Sequence, residues 1–404
     1  MSLFREVNRT LESNQNLAVI AAIRKRYLLA FICIVVLFTI LTLGLWPFHA
    51  PRNGVTWLGN REGLRFGAYS GVISSRPFRA ANSQSKSEAS LEIWLQPRRI
   101  WDSGTLLAFY SPANLCQFSM RQVQTDLILR TSAEDERHHL GTRTLRIENV
   151  FKPRPAFITI TAGGQGAAIY IDGALIAATP QFSLSARDFN GLLVLGDSPG
   201  QPDSWEGQLF GFAIVGRQLE AKRVFDNYAT WKQTGRPELS ADERYIALYL
   251  FDEHDGRVVR DKAQSGVDLY IPQRYQVADK IMLEPFWAEF SMTRSYWGAA
   301  LKNIVGFIPF GICFSAYLSA ALSKKRALLL TVALGALTSL TIEVLQGFLP
   351  TRDSGTTDVI TNTLGTWIGI VFYRWLTPAL VQFVPWLPLT GPAQVRIVRR
   401  GPPA

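Results

Sequence analysis

Apolar residues gather in blocks near the two ends of the chain, and the long middle stretch lacks them. Tyr27 to Trp46 runs without a charged residue, long enough to cross the hydrocarbon core of a bilayer. Gly298 to Leu322, Ala327 to Phe348 and Val359 to Trp375 read as three further spans. From Ala50 to about Gln276 no window is apolar enough to span. Short β-branched and aromatic runs recur there instead: Ser90 to Leu95, Thr105 to Tyr110, Phe157 to Thr161, Ala168 to Ile171, Leu192 to Leu195 and Gln208 to Val215. Gly, Pro, Asp and Asn punctuate these runs, and Asp172-Gly173 between two of them predicts a tight hairpin. Many short strands at this spacing predict an all-β sandwich or jelly roll, closed by a helix over Leu219 to Trp231.

The predicted architecture is therefore a multidomain membrane protein, an all-β sandwich plus an α-helical transmembrane bundle of about four spans. A head at 1–26 precedes an uncleaved anchor at 27–48, since the apolar run ends in W-P-F-H rather than in a small-x-small cleavage site. The sandwich occupies 50–276, a membrane domain 280–376 and a tail 377–404.

Charge sets the orientation. The net charge of +10 over 404 residues suggests nucleic acid at first, but the basic residues flank the apolar blocks. They stand at Arg24 to Arg26, at Lys324 to Arg326, and at Arg396, Arg399 and Arg400, and no acidic residue follows Asp358. This is the cytoplasmic flank pattern of membrane helices, so the partner is a lipid bilayer and not nucleic acid. It predicts a multi-pass protein of the bacterial cytoplasmic membrane with both termini inside and the sandwich outside. Phe286, Trp287, Tyr296 and Trp297 suit the headgroup level beside the second span. The three cysteines, Cys33, Cys116 and Cys313, lie in separate regions, which argues against a disulfide framework or a cysteine metal site.

Against this apolar background one set of polar residues stands out. Asn303 begins the second span, and Glu343 and Gln346 end the third. Arg352 and Asp353 fall in the short loop, and Asp358 and Asn362 begin the fourth. The predicted topology brings all of them to the outer leaflet. Glu343 and Gln346 share a helix face at i, i+3, and Asp358 and Asn362 share another at i, i+4. Ionisable groups in a membrane are costly, which makes the set a candidate functional site; the alternative is polar glue between helices. Gly365 and Gly369 form a small-xxx-small pair read as ordinary helix packing, and Pro309 with Gly306 and Gly311 is expected to bend the second span.

Two stretches resemble known families. S-L-E-I-W-L-Q-P at Ser90 to Pro97, A-A-I-Y-I-D-G at Ala167 to Gly173, G-L-L-V-L-G-D-S at Gly191 to Ser198 and W-E-G-Q-L-F-G-F-A-I at Trp205 to Ile214 resemble a laminin-G-like, concanavalin-A-like sandwich. Ala247 to Lys262 with Asp268 to Pro272, and Gly63 to Gly71, resemble edge segments of such domains and are expected to pair with each other. That resemblance implies glycan or protein binding, sometimes with calcium. Asp252, Glu253, Asp255 and Asp261 could supply oxygen ligands to calcium, but a solvated turn around Gly256 is the preferred reading and no cofactor is assigned. His138-His139 beside Glu134, Asp135 and Glu136 is a weak metal signal.

In the last third of the chain, Asn303, Gly306-Phe307, Pro309-Phe310-Gly311, Glu343, Gln346, Arg352-Asp353, Asp358, Asn362 and Gly365 resemble the signature of VanZ-like membrane domains. That family is associated with low-level teicoplanin resistance and the bacterial envelope, with no settled reaction. The D-S-G-T string at Asp353 to Thr356 matches aspartic proteases only by accident, since such a carboxylate works as one of a pair on β-loops.

Two functions are expected from these readings. In one, the membrane domain acts on an envelope polysaccharide or lipid-linked glycan held by the sandwich. Glu343 and Asp358 then serve as acid/base or cation-holding carboxylates with Asp353 beside them, Arg352 meets a phosphate or carboxylate, and Asn303, Gln346 and Asn362 bind substrate. In the other, the protein is a non-catalytic tether or assembly factor.

Overall fold

The computed structural model describes residues 2–79, 88–134, 140–237, 245–263 and 265–383. His138-His139 and the basic residues of the tail lie outside the described residues. Two compact units emerge: Met1–Phe48 with Met282–Leu349 and Ser354–Ala404, and His49–Ile281 with Pro350–Asp353.

The second unit is a sandwich of two 8-stranded sheets whose ladders are antiparallel. One runs β1 (Val55–Trp57), β2 (Leu64–Phe66), β13 (Gly207–Val215), β4 (Ala89–Pro97), β9 (Ala156–Gly163), β10 (Gly166–Ile171) and β11 (Ala174–Thr179), with β14 (Tyr245–Tyr249) also on β13. The other runs β15 (Val258–Val259), β16 (Leu269–Tyr270), β3 (Val72–Ser74), β12 (Leu192–Leu195), β5 (Ser103–Ser111), β6 (Asn114–Val123), β7 (Asp126–Glu134) and β8 (Leu140–Ile147). The core follows the period of two: Leu91, Ile93 and Leu95 of β4 face inward, against Leu107 and Phe109 of β5 and Phe118 and Met120 of β6. Asp172 and Gly173 make the predicted hairpin between β10 and β11, both with positive φ (51° and 78°).

The outer face of the first sheet is covered in part by α2 (Ala221–Thr234). Its Trp231 packs on Phe157, Ala213 and Leu248, and Asn227 Nδ2 donates to the buried Glu92 Oε1 at 3.0 Å. This is the predicted closing helix, begun two residues later. β9 is buried on both faces for the same reason.

The edge segments join differently from the expectation. β2 and β14 do not pair with each other; they lie end to end along β13, at Gly207–Leu209 and Phe212–Val215. One hydrogen bond links the two stretches, from Gly63 N to Phe251 O at 3.0 Å. Leu269 and Tyr270 pair instead with Ser74 and Ile73. Each short edge finds the nearest unpaired ladder, which hydrophobic pattern alone does not specify.

The first unit is helical: α1 (Ser2–Leu45), α3 (Phe286–Glu289), α4 (Arg294–Ser319), α5 (Lys324–Gly347) and α6 (Thr356–Phe383). Among the described residues, three stretches are long and apolar enough to cross a membrane by length and composition: Ile23–Leu45, Arg294–Ser319 and Lys324–Gly347. The expected fourth span is present as helix within α6 but is not one of these three. Thr361, Asn362, Thr363 and Thr366 dilute it, and the threonine hydroxyls donate back to the carbonyls of Thr357, Val359 and Asn362. α6 also continues past Leu376, where an interfacial tail was expected.

α1 joins the bundle: Val36, Leu37, Ile40 and Leu41 pack with Phe307, Phe310 and Ile342. α4 runs through Pro309 as one continuous helix. α4 and α6 touch backbone to backbone. A Cβ on Gly365 would fall 2.2 Å from Ile304 O, and one on Gly369 would fall 2.2 Å from Ile308 O. Ile304 with Gly365 and Ile308 with Gly369 ascend together, so the two helices are parallel. The small-residue seam is a packing device, as expected.

Candidate functional site

The last turns of α5 and the start of α6 are locked together by side chains. Glu343 on α5 is 1% exposed, and its Oε2 accepts from Gly355 N at 2.8 Å. Ser354 Oγ donates to Glu343 O at 2.7 Å and accepts from Leu283 N at 3.1 Å. Thr356 N donates to Glu284 O at 2.8 Å, and Thr357 N donates to Glu289 Oε2 at 2.9 Å. These are the N–H groups at the head of α6 that have no acceptor within the helix. Two carboxylates, Glu343 and Glu289, therefore hold the helix start, where partial positive charge favours them. A Cβ on Gly355 would lie 1.6 Å from Glu289 Oε1, so a side chain there would push that carboxylate off the helix start.

A second layer lies one turn deeper. Asn362 Nδ2 donates to Ser339 Oγ at 2.9 Å, and Thr366 Oγ1 donates to Asn362 O at 3.0 Å. Gln346 Nε2 donates to Gly44 O at 2.8 Å, which ties α5 to the end of α1. Asn362 Oδ1 and Thr357 Oγ1 are buried polar atoms with no hydrogen-bond partner among the described residues. The other end of the unit is basic. Arg374 Nη2 donates to Lys324 O at 3.0 Å, beside Lys325 and Arg326. The parallel seating of α1 on α5, with Gly44 at Ile342 and Gln346, carries Arg24 to Arg26 to that same end.

Of the residues singled out from sequence, the structure brings Glu343, Gln346, Asp358 and Asn362 to one end of the helical unit. Asn303 stands half-buried and deeper on α4, level with Gly365 through its neighbour Ile304. Arg352 and Asp353 fall in Pro350–Asp353, which goes with the other unit. Glu289, Ser354 and Ser339 were missed. Ser354-Gly355-Thr356 ahead of an apolar run is a helix-start signal, and the D-S-G-T string has that meaning here. Among the described residues no group of three or more His, Cys, Asp or Glu could hold a metal ion. What the arrangement does chemically is fix the α5–α6 turn, leaving a buried amide oxygen and a buried hydroxyl able to meet a polar group.

In the sandwich three of the carboxylates considered for calcium, Asp252, Glu253 and Asp261, are engaged with their own chain. Asp261 accepts from the N–H groups of Leu248, Ala263 and Gly266 and from Ser265 Oγ, and Asp252 pairs with Lys262 at 2.8 Å. Glu253 accepts from Arg260 N, and His254 and Gly256 at positive φ form the turn around Asp255. Asp197, 1% exposed, accepts from Asp203 N at 2.8 Å. Burial pushes its carboxyl up to about 7, with that hydrogen bond opposing the shift.

Comparison with known proteins separates the chain into the same two parts. Residues 67–225 match the family model described as Concanavalin A-like lectin/glucanases superfamily. Residues 248–377 match the VanZ/LLP1 family model. The fused resemblance read from the sequence, laminin-G-like and then VanZ-like, is borne out. With its apolar helices, the chain is a membrane protein carrying a lectin-like sandwich. No curated protein matches it in sequence.

Among solved structures, a botulinum neurotoxin type C structure, described in connection with cell entry and two ganglioside molecules, is 14% identical with a TM-score of 0.34. The match covers 46% of this chain and 47% of that one. A heptameric SAP-like pentraxin from Limulus polyphemus is 12% identical with a TM-score of 0.33, covering 56% and 95%. The chain spans about half the length of the first solved structures it matches.

Proposed function

We propose that this is a multi-pass protein of the bacterial cytoplasmic membrane, with its sandwich on the extracytoplasmic side. There the sandwich holds an envelope polysaccharide or lipid-linked glycan, and the VanZ-like helical unit serves as its platform. The observation that carries the reading is the polarity of the helical unit. Arg24 to Arg26, Lys324 to Arg326 and Arg374 stand at one end and the buried network of Glu343, Ser354 and Asn362 at the other. Positive charge at the cytoplasmic end turns the network outward. The aromatic side chains of Phe286, Trp287 and Trp297, exposed beside the start of α4, suit the outer headgroup level. The lectin-like family description supports glycan binding by the sandwich.

Two experiments test this. Cysteines placed singly in exposed sandwich loops should react with a membrane-impermeant maleimide in intact cells lacking an outer membrane barrier. Labelling only after lysis overturns the orientation. The full chain in nanodiscs should retain isolated envelope polysaccharide, and failure to retain any overturns the binding role.

A catalytic reading is favoured by one specific observation, the buried Asn362 Oδ1 and Thr357 Oγ1 beside the Glu343 network. Glu343 and Asp358 would then handle a proton, with Arg352 and Asp353 at the substrate and Asn303 and Gln346 binding it. Glu343→Gln keeps an acceptor for Gly355 N but cannot exchange a proton, and Asp358→Asn removes the second carboxylate. If both variants retain full envelope function, the catalytic reading falls and the platform reading stands.

A further inference from the structure

The outer face of the first sheet carries two adjoining open concavities, of about 230 and 300 Å³, that meet at Trp94. The half-buried Trp94 stands against Phe210 at 5.2 Å between ring centres, and Tyr228 of α2 closes one side. Three cations surround this aromatic centre. Arg61 lies 3.9 Å over the Phe210 ring, Lys232 stands 5.7 Å from the Tyr228 ring, and Arg154 lines the same hollow as Lys232. Arg154 is matched by Asp172 at 2.7 Å. Lys232 and Arg61 form no ion pair among the described residues. Helix spacing explains the pairing, since Tyr228 and Lys232 are i, i+4 on α2 and project from one face.

We propose that this trough binds an acidic saccharide, a chain bearing uronate carboxylates. It rests on the reading of the sandwich as a glycan-binding module and names the site and ligand class. A sugar ring has an apolar C–H face and a rim of hydroxyls. Trp94 offers the flat apolar surface, and the polar side chains around it meet the rim. Lys232 and Arg61, whose charge has no carboxylate partner here, select an anionic substituent over a neutral one. Glu62 and Asp172 on the walls accept from hydroxyl groups.

The test uses the full chain in nanodiscs and two probes, tetragalacturonate and its methyl ester. The acid form should bind, and the ester should bind at least about tenfold more weakly, as expected for loss of charge-assisted contacts. Lys232→Glu should weaken acid binding by at least about tenfold. Lys232 is exposed, so this variant leaves folding intact and remains informative where Trp94→Ala, which loses the Phe210 contact, does not fold. Equal binding of acid and ester, no binding of either, or indifference to Lys232→Glu overturns the proposal. Equal capture of a polyglutamate peptide or of anionic vesicles overturns the saccharide assignment. Failure here, with a neutral envelope glycan still retained in a Lys232→Glu-insensitive manner, leaves the glycan-binding module standing. Failure to bind any glycan removes both.

Discussion

Asp197 in the sandwich and Glu343 in the helical unit are both 1% exposed, and both accept a backbone N–H at 2.8 Å, from Asp203 and Gly355. Their surroundings differ. Asp197 lies near Asp203 and against the buried ring of Tyr275, whose hydroxyl is itself raised far above its ordinary range by burial and by that carboxylate. Burial raises the acid, and the Asp203 carboxylate adds to it. Glu343 faces the head of α6, where the helix directs unsatisfied N–H groups and partial positive charge. Equal burial thus hides two roles: a carboxyl whose charge the fold opposes, and a carboxyl that accepts from an N–H at the head of a helix.

The largest expected effect breaks that contrast by pH. Asp197 titrates near 3.8 unfolded and at about 7 folded, so the folded state favours its protonated form. That contribution is fully present below 3.8 and lost as pH rises through 7, up to about 4 kcal/mol. The sandwich melting midpoint should fall over this range, and the Asp197→Asn variant should lose that part of the slope. Next in size is Gly369→Leu, which drives a side chain into Ile308 O and should destabilise the helical unit by about 3 kcal/mol, read by denaturant unfolding in detergent. Glu343→Ala, which leaves Gly355 N without its acceptor, should cost about 2 kcal/mol in the same assay. The smallest effect sharpens the contrast: Glu343→Gln keeps the acceptor and should change stability by less than about 0.5 kcal/mol.

What the chain revealed of itself followed how local each signal is. Short β-branched and aromatic runs between turn residues placed β4, β5, β9, β10, β12 and β13, because that signal is local in the chain. Sheet order was not written that way, and β2, β14 and β16 found partners by geometry. Costly polar residues in apolar sequence pointed to Glu343, Gln346, Asp358 and Asn362, which the structure brings to one end of the helical unit. Glu289 escaped because its role depends on a short helix folding back to Thr357 N. The trough around Trp94 escaped for a related reason: Arg61, Trp94, Arg154 and Lys232 come from four elements far apart in sequence.

The backbone contact between α4 and α6 has a mechanical meaning. Two parallel helices locked carbonyl to glycine along Ile304–Gly365 and Ile308–Gly369 cannot slide past one another without climbing out of register. They translate or tilt only as a single strut. Displacement within this unit therefore falls to α1 and α5, and the hydrogen bond from Gln346 to Gly44 is where such a movement would first part the bundle.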